Sequence, residues 1–136
     1  MISKLLRKIF VQTPSQARHL TAQELTIYRP YFTQQILASA QIIEGKVPFW
    51  LRSDMQGVVL GHRIFFRQHA YQANTAEGVE LLGHELVHVA QFATGLTVAK
   101  YLWSSRQGYR KNPYELIAYT MAATIKAVYL LENVAN

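Results

Sequence analysis

The feature that most limits what this chain can become is a pair of histidines four residues apart, His84 and His88, inside an unbroken apolar-periodic run. Asn74 and Thr75 are competent N-caps and Gly95 a competent terminator, so the run predicts a helix reaching Ala93. At about 100° per residue, His88 lies roughly 40° round this helix from His84 and one turn along, so both imidazoles can bind one ion. Val79, Leu82, Leu86, Val89 and Ala93 fall on the opposite side. The pattern predicts a helix buried on both sides, with one face for a core and one for a site.

Glu85 completes an HExxH sequence, Gly83-His-Glu-Leu-Val-His88. With five histidines and seven glutamates in 136 residues, a chance match is on the order of 1%. On the predicted helix Glu85 is offset from the imidazoles, where its carboxylate can act on a metal-activated water as general base without being a ligand. Gln91 lands on the same face. It either holds a ligand or substrate backbone, or satisfies a loop amide.

Catalytic zinc usually takes three protein ligands. The chain has no cysteine, which excludes thiolate ligands, disulfides and thiol catalysis and leaves His, Asp or Glu for the third position. A metzincin would have Gly at position 91 and His at position 94, where this chain has Gln91 and Thr94. Glu115, 27 positions after His88, follows Asn112-Pro113 at the start of a second predicted helix. Two roles are open to it: the third ligand of a two-helix His-His-Glu site, or the carboxylate of a capping box with Asn112. Tyr119, one turn further on, either orients a ligand or donates to a substrate oxygen, or is a core tyrosine with its hydroxyl at the rim.

The rest of the chain reads as one α+β domain. Thr21 to Ile43 has helical periodicity that Pro30 should kink or split. Lys46 to Arg67 is β-branched and aromatic, with Gly61-His62 as a hairpin turn, and predicts a small antiparallel sheet packed on the HExxH helix. A loop or short helix runs to Gly108, and the last helix reaches about Leu131. Residues 1–20 are set apart as an amphipathic arm with Ile2, Leu5, Leu6 and Ile9 on one stripe, and 21–136 as the domain.

Lysines and arginines number 14 against 8 acids, a formal charge of +6, yet half the residues are hydrophobic, which excludes a disordered polyelectrolyte. Lys100, Arg106, Arg110 and Lys111 form a basic stretch without a helix-turn-helix, zinc-finger or RNP pattern, so no nucleic-acid partner is expected. No run approaches the roughly 18 apolar residues of a membrane span, and Lys4, Arg7 and Lys8 interrupt any secretory core. A cytoplasmic location is expected, with any export through a signal-independent secretion system.

Arg63-Ile-Phe-Phe-Arg67, Thr75-Ala-Glu-Gly78, Leu82-Gly-His-Glu-Leu-Val-His-Val-Ala-Gln91 and Asn112-Pro-Tyr-Glu115 resemble the zincin-type metallopeptidase domains of a bacterial family of unknown function, linked to extracellular contractile injection systems and polymorphic toxins. The resemblance spans roughly residues 45 to 122. It implies a minimal gluzincin-like fold, one Zn2+ held by His84, His88 and Glu115, Glu85 as general base, and a peptide or protein substrate, within a secretion or toxin assembly. Larger gluzincins carry an acidic residue four positions after the ligand glutamate, where this chain has Tyr119. The oxyanion donor is sought among Tyr109, Arg110 and Tyr119, and an extended substrate is expected antiparallel to the strand near Arg63 to Arg67. The alternative function is a catalytically silent zinc-binding adaptor or chaperone-like module.

Overall fold

The computed structural model describes residues 16–134. The arm positions Ile2, Leu5, Leu6 and Ile9 lie outside the described residues. Arg18–His19 is a two-residue strand, β1, and Leu20 after it is buried in the core.

Pro30 divides the first helical run. Helix α1 is Ala22–Tyr28 and α2 is Gln34–Ser39, capped by the hydroxyls of Thr21 and Thr33. The helical reading fails beyond Ser39, because Gln41–Glu44 is strand β2. Ile42 and Ile43 are both fully buried there, and β-branched residues buried on two faces suit an interior strand better than one stripe of a short helix.

Strands β3 (Gly57–Leu60) and β4 (Arg63–Phe66) form the predicted hairpin, with Val58 opposite Phe65 and Val59 opposite Ile64. Gly61 takes φ +68° in the two-residue turn, a conformation for which Gly is the natural residue. The sheet is mixed rather than antiparallel, in the order β1-β2-β4-β3, because β2 and β4 pair in parallel. The chain leaves β2 through a loop, returns along β3 and turns again, so β4 necessarily runs with β2.

That loop contains Val47, Phe49, Trp50 and Leu51, for which strand had been expected. Pro48 has no amide to give a ladder. The Arg67 guanidinium donates to the carbonyls of Leu51, Arg52 and Met55 at 2.7–3.2 Å, satisfying in a loop what a strand would satisfy by pairing.

Helix α3 (Ala76–Ala93) begins at Thr75, whose hydroxyl accepts from Gly78 N. It ends in a Schellman pattern: Leu96 N donates to Gln91 O and Gly95, at φ +120°, donates to Phe92 O. Val79, Leu82, Leu86 and Val89 pack against Ile42, Ile64 and Phe66 of the sheet. The buried Tyr28 hydroxyl donates to Val79 O at 2.8 Å and ties α1 to α3.

Short helix α4 (Val98–Ser104) buries none of its residues, and a 3-10 turn at Tyr109–Lys111 leads to the long helix α5 (Pro113–Val134). Helix α5 lies along α3 through Ala118, Ala122 and Ile125. A Cβ on Gly83 would stand 3.3 Å from Ile125 Cδ1, which shows how closely the two helices approach. Among the described residues no helix is long and apolar enough to cross a membrane.

Candidate metal centre

The site lies on the face of α3 turned toward α5. His84 Nε2 is 2.9 Å from Glu115 Oε1, His88 Nε2 is 3.0 Å from the same oxygen, and the two Nε2 atoms are 3.2 Å apart. All three side chains are buried. Tetrahedral ligands held about 2.0–2.1 Å from a zinc ion stand roughly 3.3 Å from one another, so these donors lie within a few tenths of an ångström of that spacing. Two imidazole lone pairs and a carboxylate oxygen repel at such distances unless a cation or a proton lies among them. The cluster can therefore hold a metal ion by its donor chemistry as well as by its geometry.

The Glu115 carboxylate does not close a capping box, since Asn112 N donates to Tyr109 O at 3.2 Å; the cap is Asn112 Oδ1, which accepts from Tyr114 N at 2.8 Å. The two Glu115 oxygens are divided. Oε1 faces the imidazoles, and Oε2 accepts from the Tyr101 hydroxyl. Burial pushes the Glu115 pKa up, but the bonds from His84, His88 and Tyr101 outweigh it and hold the group well below the ordinary carboxylate range. Burial likewise pushes His88 down, and Glu115 more than reverses it, so its pKa is raised overall.

Gln91 sits beside the cluster in a defined role. Its Nε2 donates to Tyr114 O at 3.0 Å, which leaves Oε1 to accept from His88 Nδ1–H at 2.8 Å. With its proton on Nδ1, the neutral His88 ring presents the Nε2 lone pair to the cluster. The same amide ties α3 to the first turn of α5.

Glu85 makes no hydrogen bond among the described residues. It is buried at the floor of two adjoining clefts, and burial raises its pKa against the lowering pull of His84 and His88. The larger cleft, about 1020 Å3, has polar walls that include Arg52, Glu77, Glu80 and Arg110. The smaller, about 470 Å3, takes in His84, Glu85, His88 and Glu115 together with an apolar wall of Trp50, Val58, Leu60, Phe92, Val98 and Leu102.

Tyr109 borders both clefts and accepts from the Tyr119 hydroxyl at 3.3 Å. Tyr119 is half exposed and sets its ring edge-on against His84, with centroids 4.5 Å apart, without a hydrogen bond to the cluster. Arg110 is exposed at the rim.

Two elements depart from the reading of the sequence. The strand near Arg63 to Arg67 cannot receive another chain, because β4 is paired on both sides; of the two edge strands, β1 and β3, it is β3 that lines the smaller cleft, and among the described residues it pairs only with β4. Tyr101 lies within the basic stretch from Lys100 to Lys111, where the sequence does not single it out as a site residue, yet its hydroxyl reaches Glu115. A tyrosine 14 positions before an acid leaves no periodic trace in sequence, so nothing local could have identified it.

No curated protein and no solved structure matches this chain. Residues 52–96, from the loop before β3 to the end of α3, match the family model of the eCIS core domain, a domain linked to extracellular contractile injection systems.

Proposed function

We propose that this chain is a zinc-dependent metallopeptidase on a minimal gluzincin-like domain, drawn in the sequence as 21–136 after an amphipathic arm over 1–20, with Arg18, His19 and Leu20 joining the domain through β1 and the core. The observation that carries this reading is the convergence of His84 Nε2, His88 Nε2 and Glu115 Oε1 within 3.2 Å of one another, beside a buried Glu85 that opens onto the same cleft. Two imidazoles and a carboxylate are a donor set of catalytic zinc. When bound, the ion would supply Lewis acidity toward a carbonyl and toward water.

The chain's own residues do the rest. Glu85 takes the proton from the attacking water as its oxygen joins the carbonyl carbon, then returns that proton to the amide nitrogen as the C–N bond breaks. An extended peptide adds to the outer edge of β3, where main-chain hydrogen bonds set its register. The apolar wall from Trp50 to Leu102 receives an apolar side chain. Tyr109, backed by Tyr119, and Arg110 are the donors available to the developing oxyanion. The family match favours a secretion assembly as the setting; the peptide or protein substrate follows from the hydrolytic reading of the site, and a signal-independent route of export belongs to the same proposal.

A second reading, a catalytically silent zinc-binding adaptor, is favoured by the exposure of Phe49, Trp50, Leu102 and Trp103, apolar surface of the kind a protein partner covers. One experiment separates the two. Elemental analysis should find about one zinc per chain in wild type and Glu85→Gln but none in His84→Ala. On a peptide library read by mass spectrometry, Glu85→Gln should cut at least about a hundredfold more slowly than wild type. Equal metal content in wild type and His84→Ala would overturn the site; zinc without cleavage in wild type would leave the adaptor.

A further inference from the structure

Helix α4 stands apart from the core. Val98, Leu102 and Trp103 are exposed, and only Tyr101 on this helix sends a polar group into the metal cluster. That residue is held through both its side chain and its main chain. Its hydroxyl donates to Glu115 Oε2, while its main-chain carbonyl accepts from Asn112 Nδ2 at 3.1 Å. Asn112 is fully buried, donates also to Ser105 Oγ at 2.7 Å, and precedes Glu115 by three residues in the chain. The Tyr101 ring stands nearly perpendicular to that of His88, with centroids 6.1 Å apart.

A carboxylate can turn about its Cγ–Cδ bond and offer one oxygen or both to a cation. In Glu115 that freedom is removed, because Oε1 is directed at the imidazoles while Oε2 is held by the phenol. We infer that Tyr101 is a positioning residue that makes Glu115 a one-oxygen ligand, keeping the site at three protein donor atoms instead of four. The inference rests on the zinc-site reading above. It also gives α4, which walls the apolar cleft, a direct mechanical link to the metal cluster through one hydrogen bond.

The test uses the whole chain loaded with cobalt(II), whose visible absorption reports coordination number. Tyr101→Phe keeps the ring and removes the donor. It should shift and weaken the cobalt band as the second oxygen joins the ligand set, and lower zinc affinity at least about tenfold in chelator competition. The far-ultraviolet circular dichroism should match wild type. Trp103→Ala, an exposed position on the same helix, should leave the band unchanged. A Tyr101→Phe spectrum identical to wild type overturns the inference and leaves the zinc site standing, whatever happens to stability. An equal shift in Trp103→Ala also overturns it, since the effect would then belong to α4 as a whole. A wild-type chain that binds neither cobalt nor zinc overturns both this inference and the reading beneath it.

Discussion

Single side chains divide the polar interior into two separate networks. The first is the metal cluster, in which two of the three donors have an outer partner that sets their orientation: Gln91 for His88 and Tyr101 for Glu115. The second lies at the N-terminal end of the sheet. There the buried Glu24 accepts from the Arg18 guanidinium at 2.8 and 3.1 Å, from the Tyr71 hydroxyl at 2.6 Å and from Thr21 N at 2.8 Å. Burial raises the Glu24 pKa, but the Arg18, Tyr71 and Thr21 bonds overcome it, so the folded value lies below the ordinary 4.5. A depressed folded pKa means that the stabilisation is fully present above about pH 4.5 and is lost as pH falls through the folded value. Glu24→Gln should therefore cost about 2–3 kcal/mol at pH 7, less than a fully buried pair because Arg18 is partly solvated. The difference between wild type and Glu24→Gln in denaturant unfolding should narrow steadily below pH 4.5. A difference independent of pH would show that the carboxylate charge does not matter there.

At the scale of elements, two glycines set where α3 lies, and they do so unequally. A Cβ on Gly78 would fall 1.9 Å from the carbonyl oxygen of Gln72, so the turn before α3 can lie on its first coil only because that position is bare. A backbone atom cannot step aside without moving the cap at Thr75, which accepts from Gly78 N. On Gly83 the nearest contact would be 3.3 Å to the tip of Ile125, a side chain able to change rotamer. Gly78→Ala should therefore destabilise the chain by about 2–3 kcal/mol, and Gly83→Ala by about 1 kcal/mol or less, since its cost is offset by helix propensity. Chemical denaturation of the two variants checks the order. The reverse ranking would mean that the α3–α5 contact, and not the turn, is the tighter constraint.

Across the whole molecule, the cluster joins the two helices that make the most extensive contact in the fold, α3 and α5, whose donors are 27 positions apart in the chain. An ion bound there favours the folded state alone, because an unfolded chain does not bring His84, His88 and Glu115 together. At a hundredfold excess of free zinc over its dissociation constant the gain is about 2.7 kcal/mol, a rise of roughly 10 °C in melting temperature for a chain of this size. Melting with zinc and with chelator should show this difference in wild type and none in His84→Ala. Coincident curves for wild type would mean that the folded chain does not hold the ion.

What could be read from the sequence was local. The caps of α3, the common face of His84 and His88, the Gly61-His62 turn and the Pro113 helix start all depend on residues within a turn or two of one another, and periodicity and dihedral preference act over that distance. The tertiary structure decided whatever required distant segments to meet. It converted Ile42 and Ile43 from helical periodicity to a strand buried between two neighbours, and it made the sheet mixed by routing the chain through the Arg67-held loop. It also settled the two orientations open to Glu115, because the imidazoles and Tyr101 offer its carboxylate three buried partners where the helix cap offers one backbone amide. Local rules rank the choices available to each residue, but a buried charge goes to whatever pairs it most completely, and only the assembled fold determines what is within reach.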